Sequence, residues 1–392
     1  MTGPHEMLTR RRALASFGVL AGLASMGCAS SSAATPGVAR PKPGTLLWRS
    51  QPLVNGESVL GLVPAGGVIC VGDGFGNIYG LNAASGRTLW RRTFRDNSSG
   101  YLPLAAAGGR VFAVGSGRVA ALSAATGRQL WSVPAAGVSG FPPGPSAYFA
   151  VYANGVVCVL DAHGNVAGLD PRTGRAMWRR PPPVPAGFAA GAAAQDGVLY
   201  VAETTGRGGV TALDVRTGRL RWAAPAPSVA STLLVLDSVI AGTPTASPSY
   251  AAGQLTFALD KATGRPLWRA NFDTQTYSSI AGEGDRVYLH VDLLAGAVTE
   301  GTAISALAAR SGRRLWRDTF PSQSTGGTIA AAGGLLYAGF QEGILRALSP
   351  ATGAVLWRRT TSGEVTSITP GPRVIYASAS GSRGGTIYAI WP

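Results

Sequence analysis

The stretch Tyr79–Arg92 reads YGLNAASGRTLWRR, and closely similar phrases recur along the whole chain. Three of them are AALSAATGRQLWSV, AGLDPRTGRAMWRR and TALDVRTGRLRWAA, each with a leucine, a Ser/Thr-Gly pair and a tryptophan at matching places. Eight tryptophans follow one another at intervals of 41 to 48 residues: Trp48, Trp90, Trp131, Trp178, Trp222, Trp268, Trp316 and Trp357. Self-similarity at a fixed period of this length indicates a repeat architecture.

Each repeat has the pattern of short strands rather than of helices. The segment Gly67–Leu81, GVICVGDGFGNIYGL, alternates apolar and small residues around a glycine-rich turn, which is typical of a β-hairpin. The Asx-x-x-Ser/Thr-Gly segment that follows is a tight turn, because an Asp or Asn side chain accepts from a nearby backbone N–H and glycine accepts a positive φ. With one further strand before the hairpin, each unit holds four strands, which is the size of a propeller blade.

The two ends of the repeating region complete each other. The segment Gly44–Ser50, GTLLWRS, supplies a tryptophan strand without the preceding hairpin, and Tyr388–Ile390 begins a repeat that then stops. Pairing the first strand with the last closes the ring and leaves no open radial edge. We therefore predict an all-β fold over residues 44–392: one eight-bladed β-propeller of four-stranded antiparallel blades, with the eight tryptophans as structural residues that dock adjacent blades.

The repeated phrase A-x-D-x-x-T-G-x-x-x-W resembles the tryptophan-docking motif of the PQQ-like β-propellers. That family includes the quinoprotein alcohol dehydrogenases and the non-catalytic BamB-type propeller lipoproteins. The resemblance covers residues 44–392. For the dehydrogenases it implies PQQ and Ca²⁺ on the propeller axis, a catalytic Asp and an adjacent Cys-Cys pair, and this chain contains no Cys-Cys.

The first 43 residues differ in character from the repeats. Arg10 and Arg11 precede the apolar stretch 13–27, which is too short to span a bilayer. This arrangement resembles a twin-arginine export signal over residues 1–27, and the general secretory route is the alternative. Gly27-Cys28 resembles a lipobox, which predicts acylation of Cys28, with ordinary cleavage as the alternative. Residues 28–43 then form a flexible tether, and the protein lies at the outer face of the cytoplasmic membrane.

The composition is strongly basic, with a formal net charge of +15. Six arginines directly follow the turn glycine of a repeat and should form a ring on one face: Arg87, Arg128, Arg175, Arg219, Arg265 and Arg313. Such a ring either attracts an anionic partner such as lipid head groups or an acidic envelope polymer, or consists of solvated turn residues. A basic stripe with a stacking platform is missing from the sequence, so we predict no nucleic-acid partner.

No nucleophile, metal-ligand or phosphate-binding motif occurs in the sequence, so we predict no enzymatic activity, no cofactor and no metal. Cys70 and Cys158 fall in the first and third blades, and we expect two buried free thiols. The sequence favours a monomeric protein-interaction scaffold at the cell envelope, with envelope or secreted proteins as partners. Long loops at 243–253 and 292–302 should project from one face, with Tyr250 as the candidate partner-binding residue. The alternative is a propeller that binds PQQ or another small ligand, including a degenerate quinoprotein dehydrogenase.

Overall fold

The structure is a computed structural model, and it describes most of the chain from residue 40 onward. The described residues are 40–51, 53, 59–73, 76–93, 104–115, 117–134, 149–160, 165–181, 189–203, 209–226, 232–243, 255–270, 278–295, 298–321, 327–371, 373–382 and 384–392. They form strands and turns, and no helix among them is long and apolar enough to cross a membrane.

The described strands form eight four-stranded antiparallel sheets, which are the blades. In blades one to four the strands are β2 (Val59–Ala65), β3 (Val68–Asp73), β4 (Asn77–Asn82), β5 (Thr88–Thr93); β6 (Leu104–Ala107), β7 (Arg110–Gly115), β8 (Arg118–Ser123), β9 (Gln129–Pro134); β10 (Phe149–Ala153), β11 (Val156–Leu160), β12 (Val166–Leu169), β13 (Ala176–Arg180); and β14 (Ala189–Gln195), β15 (Val198–Glu203), β16 (Gly209–Asp214), β17 (Leu220–Pro225).

Blades five to eight repeat the same order, except that the last blade takes its outer strand from the beginning of the chain. Their strands are β18 (Thr232–Val235), β19 (Val239–Thr243), β20 (Thr256–Asp260), β21 (Pro266–Ala270); β22 (Ser278–Glu283), β23 (Arg286–Ala295), β24 (Val298–Ala308), β25 (Arg314–Phe320); β26 (Gly327–Ala332), β27 (Leu335–Phe340), β28 (Ile344–Leu348), β29 (Val355–Thr360); and β30 (Glu364–Pro370), β31 (Ile375–Gly381), β32 (Gly384–Ile390) with β1 (Leu46–Arg49).

The ring is closed by strand pairing between the two ends of the chain, as predicted. β1 lies antiparallel to β32, with Leu46 opposite Ile390 and Arg49 opposite Tyr388. The innermost strand of every blade contacts the innermost strands of its two neighbours, including β30 of blade eight against β2 of blade one. The predicted eight-bladed propeller is therefore confirmed. The ring of described strands has no gap between blades, and the outer strand of each sheet is the one that leaves an unpaired edge.

The hydrophobic core consists of the joints between adjacent blades. Eight separate clusters of buried side chains each combine residues of neighbouring blades; one example joins Cys70 and Ile78 of blade one to Leu104 and Val111 of blade two. The second strand of a blade is covered on both sides, so β3 is buried at all six positions instead of alternating. The middle strands therefore show as continuous apolar runs in the sequence.

The repeated turn and the tryptophan are two halves of one contact. In blade one the Asn82 Oδ1 accepts from the backbone N–H of Ala84 and Ser85, both at 3.0 Å, and Gly86 follows with a φ of +71°. The Trp48 indole of blade eight lies on Gly86, and its Nε1 donates to the Ala83 carbonyl at 2.9 Å. A side chain at the glycine would occupy the place of the indole, which explains why the motif contains both residues.

Six further joints repeat this hydrogen bond. The indole Nε1 of each tryptophan donates to the first turn residue of the next blade, at 2.7–3.3 Å: Trp90 to Ala124, Trp131 to Pro171, Trp178 to Val215, Trp222 to Lys261, Trp268 to Ala309 and Trp316 to Pro350. Because each indole contacts the following blade, the chain of contacts runs in one direction around the ring.

The eighth joint is different because the chain ends replace the turn. Trp357 packs on Gly44, where a Cβ would lie 3.0 Å from its Cδ2 and Cγ, but its buried Nε1 has no hydrogen-bond partner in the described part of the chain. Arg359 donates instead to the Gly44 carbonyl, from Nε at 3.0 Å and from Nη2 at 2.7 Å. A guanidinium therefore replaces the indole hydrogen bond at the joint where the ring closes.

Candidate functional site

The propeller has two dissimilar faces and an outer rim. The turn face carries the hairpin turns between first and second strands and the Asx turns between third and fourth strands. The loop face carries the connections between second and third strands and those between blades. The rim consists of the outer strands β1, β5, β9, β13, β17, β21, β25 and β29. Antiparallel order places each kind of connection on one face only.

Several residues predicted as functional fall outside the described residues. These are Arg10 and Arg11 of the export signal, Cys28, and Tyr250 with its loop. The strands that flank the Tyr250 loop, β19 and β20, end and begin at the loop face. Any partner contact through Tyr250 therefore stays a prediction.

The prediction of a long loop over residues 292–302 is wrong. β23 continues to Ala295 and β24 begins at Val298, with Asp292 opposite Thr302 in the register. The segment is therefore an extension of a hairpin whose strands are longer than those of the other blades. The acidic and small residues in it are typical of a loop, but the Asp292 and Thr302 side chains are fully buried where the two strands pair.

The loop-face end of blade six packs against blade seven through a mixed polar and aromatic cluster. His290 is fully buried, makes an edge contact with Phe340 at 5.4 Å between ring centroids, and has no hydrogen-bond partner for either nitrogen in the described residues. Burial and the nearby Arg346 cation together lower the pKa of His290 to about 4, and burial is the larger of the two causes. The Arg346 guanidinium lies 4.7 Å from the Phe320 ring centroid and 4.4 Å from that of Phe340.

A second buried polar group closes the β3–β4 hairpin on the same face. The Asp73 carboxylate accepts from the Asn77 backbone N–H at 2.8 Å, from Asn77 Nδ2 at 2.7 Å and from the Tyr79 hydroxyl at 3.3 Å. Arg91 and Thr93 of the rim strand then donate to Asn77 Oδ1. These hydrogen bonds satisfy the buried carboxylate and give the cluster a structural role. The sequence signal that could have revealed it is the Asp-x-x-x-Asn spacing across a glycine-rich turn.

The turn face is basic, as the sequence predicts, but part of its charge is neutralised. The six arginines that follow the turn glycines are all exposed. Arg221 donates to Asp214 at 2.8 Å, and this hydrogen bond lowers the pKa of the Asp214 carboxyl. Lys261 contacts Asp196 at 2.7 Å. The partly exposed Arg221–Asp214 pair contributes little to stability. In the other pair Asp196 keeps 69% of its side chain accessible and Lys261 only 11%.

The rim combines positive charge with exposed apolar side chains, a feature that was not predicted from the sequence. The eight outer strands contain eleven arginines and one carboxylate, Asp318. All six exposed large hydrophobic residues among the described ones also lie on outer strands: Leu47, Leu89, Met177, Leu220, Val355 and Leu356. The sequence signal for this rim surface is the apolar residue that precedes the tryptophan in many repeats, together with the arginine that follows it.

The described residues do not fit the cofactor site that the quinoprotein resemblance implies. No group of three or more His, Cys, Asp or Glu side chains that could hold a metal ion occurs among them. Cys70 and Cys158 are free and buried in separate blades, as predicted, and burial raises the pKa of each thiol to about 12. We therefore derive no catalytic step through PQQ or Ca²⁺.

The fold and the docking motif define the class of protein as an eight-bladed propeller of the PQQ-like type. A family profile described as "Outer membrane protein assembly factor BamB" matches residues 38–187, 162–246 and 241–390, which together span the whole ring. The chain belongs to this family.

Solved structures share the fold at low sequence identity. BamB from Moraxella catarrhalis aligns with a TM-score of 0.64 and 19% identity, over 89% of this chain and 100% of that one. The computationally designed Ika8 protein gives 0.68 and 15%, over 88% and 100%. Quinohemoprotein alcohol dehydrogenase ADHIIG from Pseudomonas putida HK5 gives 0.66 and 15%, over 88% and 76%. No curated protein sequence matches the chain. At these identities the structural similarity concerns the fold alone.

Proposed function

We propose that this protein is a non-enzymatic, monomeric interaction scaffold of the cell envelope, exported through its Arg10-Arg11 signal and anchored by an acylated Cys28. The observation that carries the proposal is membership, from residue 38 to residue 390, of a family described as an assembly factor. Its partners are envelope or secreted proteins, bound at the loop face, and its location is the outer face of the cytoplasmic membrane.

The architecture suits this function for a physical reason. Tryptophan contacts join adjacent blades all around the ring, so the blades present both faces at little cost in backbone conformational entropy on binding. Sequence changes in loops leave the tryptophan–turn contacts untouched, because these contacts lie at the turn face. The loop face can therefore vary without disturbing these contacts.

The proposal is tested by cross-linking in intact cells, followed by recovery from membranes and identification of the attached proteins. We expect a recurrent envelope protein with the natural chain, and its loss with Cys28→Ala because the tether is then released. Tyr250→Ala should also remove it, whereas Tyr250→Phe should retain it, since the ring supplies most of the buried area. Recovery of no protein with any variant would overturn the scaffold function.

The fold similarity to a quinohemoprotein alcohol dehydrogenase supports one alternative, a propeller that binds PQQ or another small ligand. This alternative is tested by calorimetric titration of the purified protein with PQQ, in the presence and in the absence of Ca²⁺. Stoichiometric, calcium-dependent binding together with alcohol-dependent dye reduction would favour this alternative over the scaffold.

A further inference from the structure

The outer strands of blades seven, eight and one form a continuous part of the rim, because Trp357 packs on Gly44 and Trp48 packs on Gly86. Each of these strands exposes one leucine and at least one arginine. We call this surface the basic–apolar arc; its residues are Leu356 and Arg358 of β29, Leu47 and Arg49 of β1, and Leu89 and Arg92 of β5. We propose that the arc is a contact surface for an anionic lipid membrane.

The leucines of the arc are unusually exposed for their type. Leu356, Leu47 and Leu89 keep 54%, 39% and 50% of their surface accessible, whereas Leu130, Leu267 and Leu315 at the equivalent positions of blades two, five and six are partly buried. Four of the six exposed large hydrophobic residues of the described chain lie on these three strands. A concentration of apolar surface on one side of the ring marks an interaction site.

The arginines of the arc carry uncompensated charge. Arg49, Arg92 and Arg358 are exposed, and none makes a hydrogen bond or an ion pair with another described residue. No Asp or Glu lies on the three strands. Long cationic side chains can extend their charge to head-group phosphates while their methylene stems cover apolar surface. The arc therefore offers the combination that an anionic bilayer surface binds, which is apolar insertion flanked by cations.

The position of the arc agrees with the proposed tether, and the inference rests on the proposed function in this respect. The chain enters the ring at Gly44, directly before β1, which is the middle strand of the arc. The tether predicted over residues 28–43 has 16 residues, and a flexible chain of that length would have a root-mean-square reach of about 20 Å. An acyl group on Cys28 would hold blade eight, rather than another part of the ring, close to the membrane.

A membrane explains the arc better than an added strand or a soluble polyanion does. Exposed arginines on an edge strand discourage pairing with another strand, and a soluble polyanion needs no exposed leucines. The unpaired backbone groups of the edges require water or head groups, so the contact is interfacial and does not reach the hydrocarbon core. The disc would stand on its rim, with both faces free for partners.

The test is sedimentation of the full chain carrying Cys28→Ala with vesicles, so that acylation takes no part. Vesicles of phosphatidylglycerol and phosphatidylcholine are compared with phosphatidylcholine alone. The arc variant is Arg49→Glu/Arg92→Glu/Arg358→Glu. The control is Arg175→Glu/Arg219→Glu/Arg269→Glu, which makes the same charge change on exposed residues of blades three, four and five. Far-UV circular dichroism checks that both variants fold.

We expect binding to the anionic vesicles only, weakened by salt. The arc variant should lower the partition coefficient on the order of 100-fold, at roughly five-fold for each arginine near the surface, and the control should lower it much less. Leu47→Ser/Leu89→Ser/Leu356→Ser should also weaken binding. Equal losses in the arc variant and the control would overturn the proposal, as would insensitivity to the leucines, which would favour a soluble polyanion. Because the acyl anchor is absent, failure here leaves the cross-linking result for the scaffold unaffected.

Discussion

Replacing Gly86 by alanine should destabilise the protein more than replacing Gly67, although the two glycines share a backbone conformation. Their φ angles are +71° and +82°, and both lie in turns of blade one. A left-handed conformation costs a non-glycine residue about 1–2 kcal/mol. A methyl group at Gly67 meets nothing within 4 Å, so Gly67→Ala should cost only this conformational free energy. A small part of it is offset because alanine restricts the unfolded chain more than glycine does.

At Gly86 a packing cost is added. A methyl group there would overlap the Trp48 ring, lying 2.8 Å from Cζ3 and 2.9 Å from Cδ2. Neither side can yield easily, because the indole Nε1 is held by the Ala83 carbonyl at 2.9 Å. Overpacking of this kind costs about 1–3 kcal/mol, so Gly86→Ala should cost about 2–5 kcal/mol in total, and the difference between the two variants should be about 1–3 kcal/mol.

The assay is equilibrium unfolding in urea, followed by far-UV circular dichroism because tryptophan fluorescence would itself change. The Trp48→Leu background provides a thermodynamic cycle. Without the indole, the additional cost of Gly86→Ala should disappear and the remaining cost should equal that of Gly67→Ala. Equal costs for both alanines in the natural background, or an undiminished cost of Gly86→Ala in the Trp48→Leu background, would show that the tryptophan–glycine contact is not what selects glycine.

Three further predictions concern other joints of the ring. Trp268→Phe should cost about 1–2 kcal/mol more than Trp357→Phe in urea unfolding, because only the first loses an indole hydrogen bond. Arg359→Ala should lower the free energy of unfolding by about 1.5–3 kcal/mol, because it removes two charged hydrogen bonds to the Gly44 carbonyl. Arg358→Ala, the control, should change the free energy of unfolding by less than about 0.5 kcal/mol. Similar values for the two variants would contradict the role of Arg359 in closing the ring. The pKa of His290 is lowered to about 4 in the folded chain, so between pH 6.5 and 4 the unfolded chain binds a proton at this residue that the folded chain does not. The free energy of unfolding should therefore fall by up to about 3 kcal/mol as the pH is lowered across that range. His290→Gln should reduce this dependence on pH.

The sequence predicted the fold because each blade repeats the same local chemistry. The Asx turn needs an acceptor side chain and a glycine, and the joint needs a tryptophan, so the three residue types recur at fixed spacing wherever a blade occurs. The closure of the ring was predictable for the same reason, since Trp48 lacks a preceding hairpin and Tyr388–Ile390 lacks a following strand. Local rules of this kind can be recognised from the amino-acid sequence alone.

The candidate interaction surfaces were less predictable, because they depend on contacts between residues far apart in the chain. The extension of β23 and β24 past Asp292 is typical of a loop in the sequence, and only the strand register and the burial of Asp292 and Thr302 show that these polar residues belong to a hairpin. Both His290 nitrogens are buried without a hydrogen-bond partner among the described residues, and Gly327, which packs on the ring, comes from the next blade rather than from the same segment.

The sequence alone therefore determined the blade count, the docking contacts and the way the ring closes, because these follow from turn and packing chemistry that every repeat restates. Only the tertiary structure decided which leucines remain exposed and which arginines lack partners, since Leu47, Leu89 and Leu356 occupy the same motif position as the partly buried Leu130, Leu267 and Leu315. Exposure depends on what the rest of the fold places beside each position, and a residue's own segment does not encode those contacts.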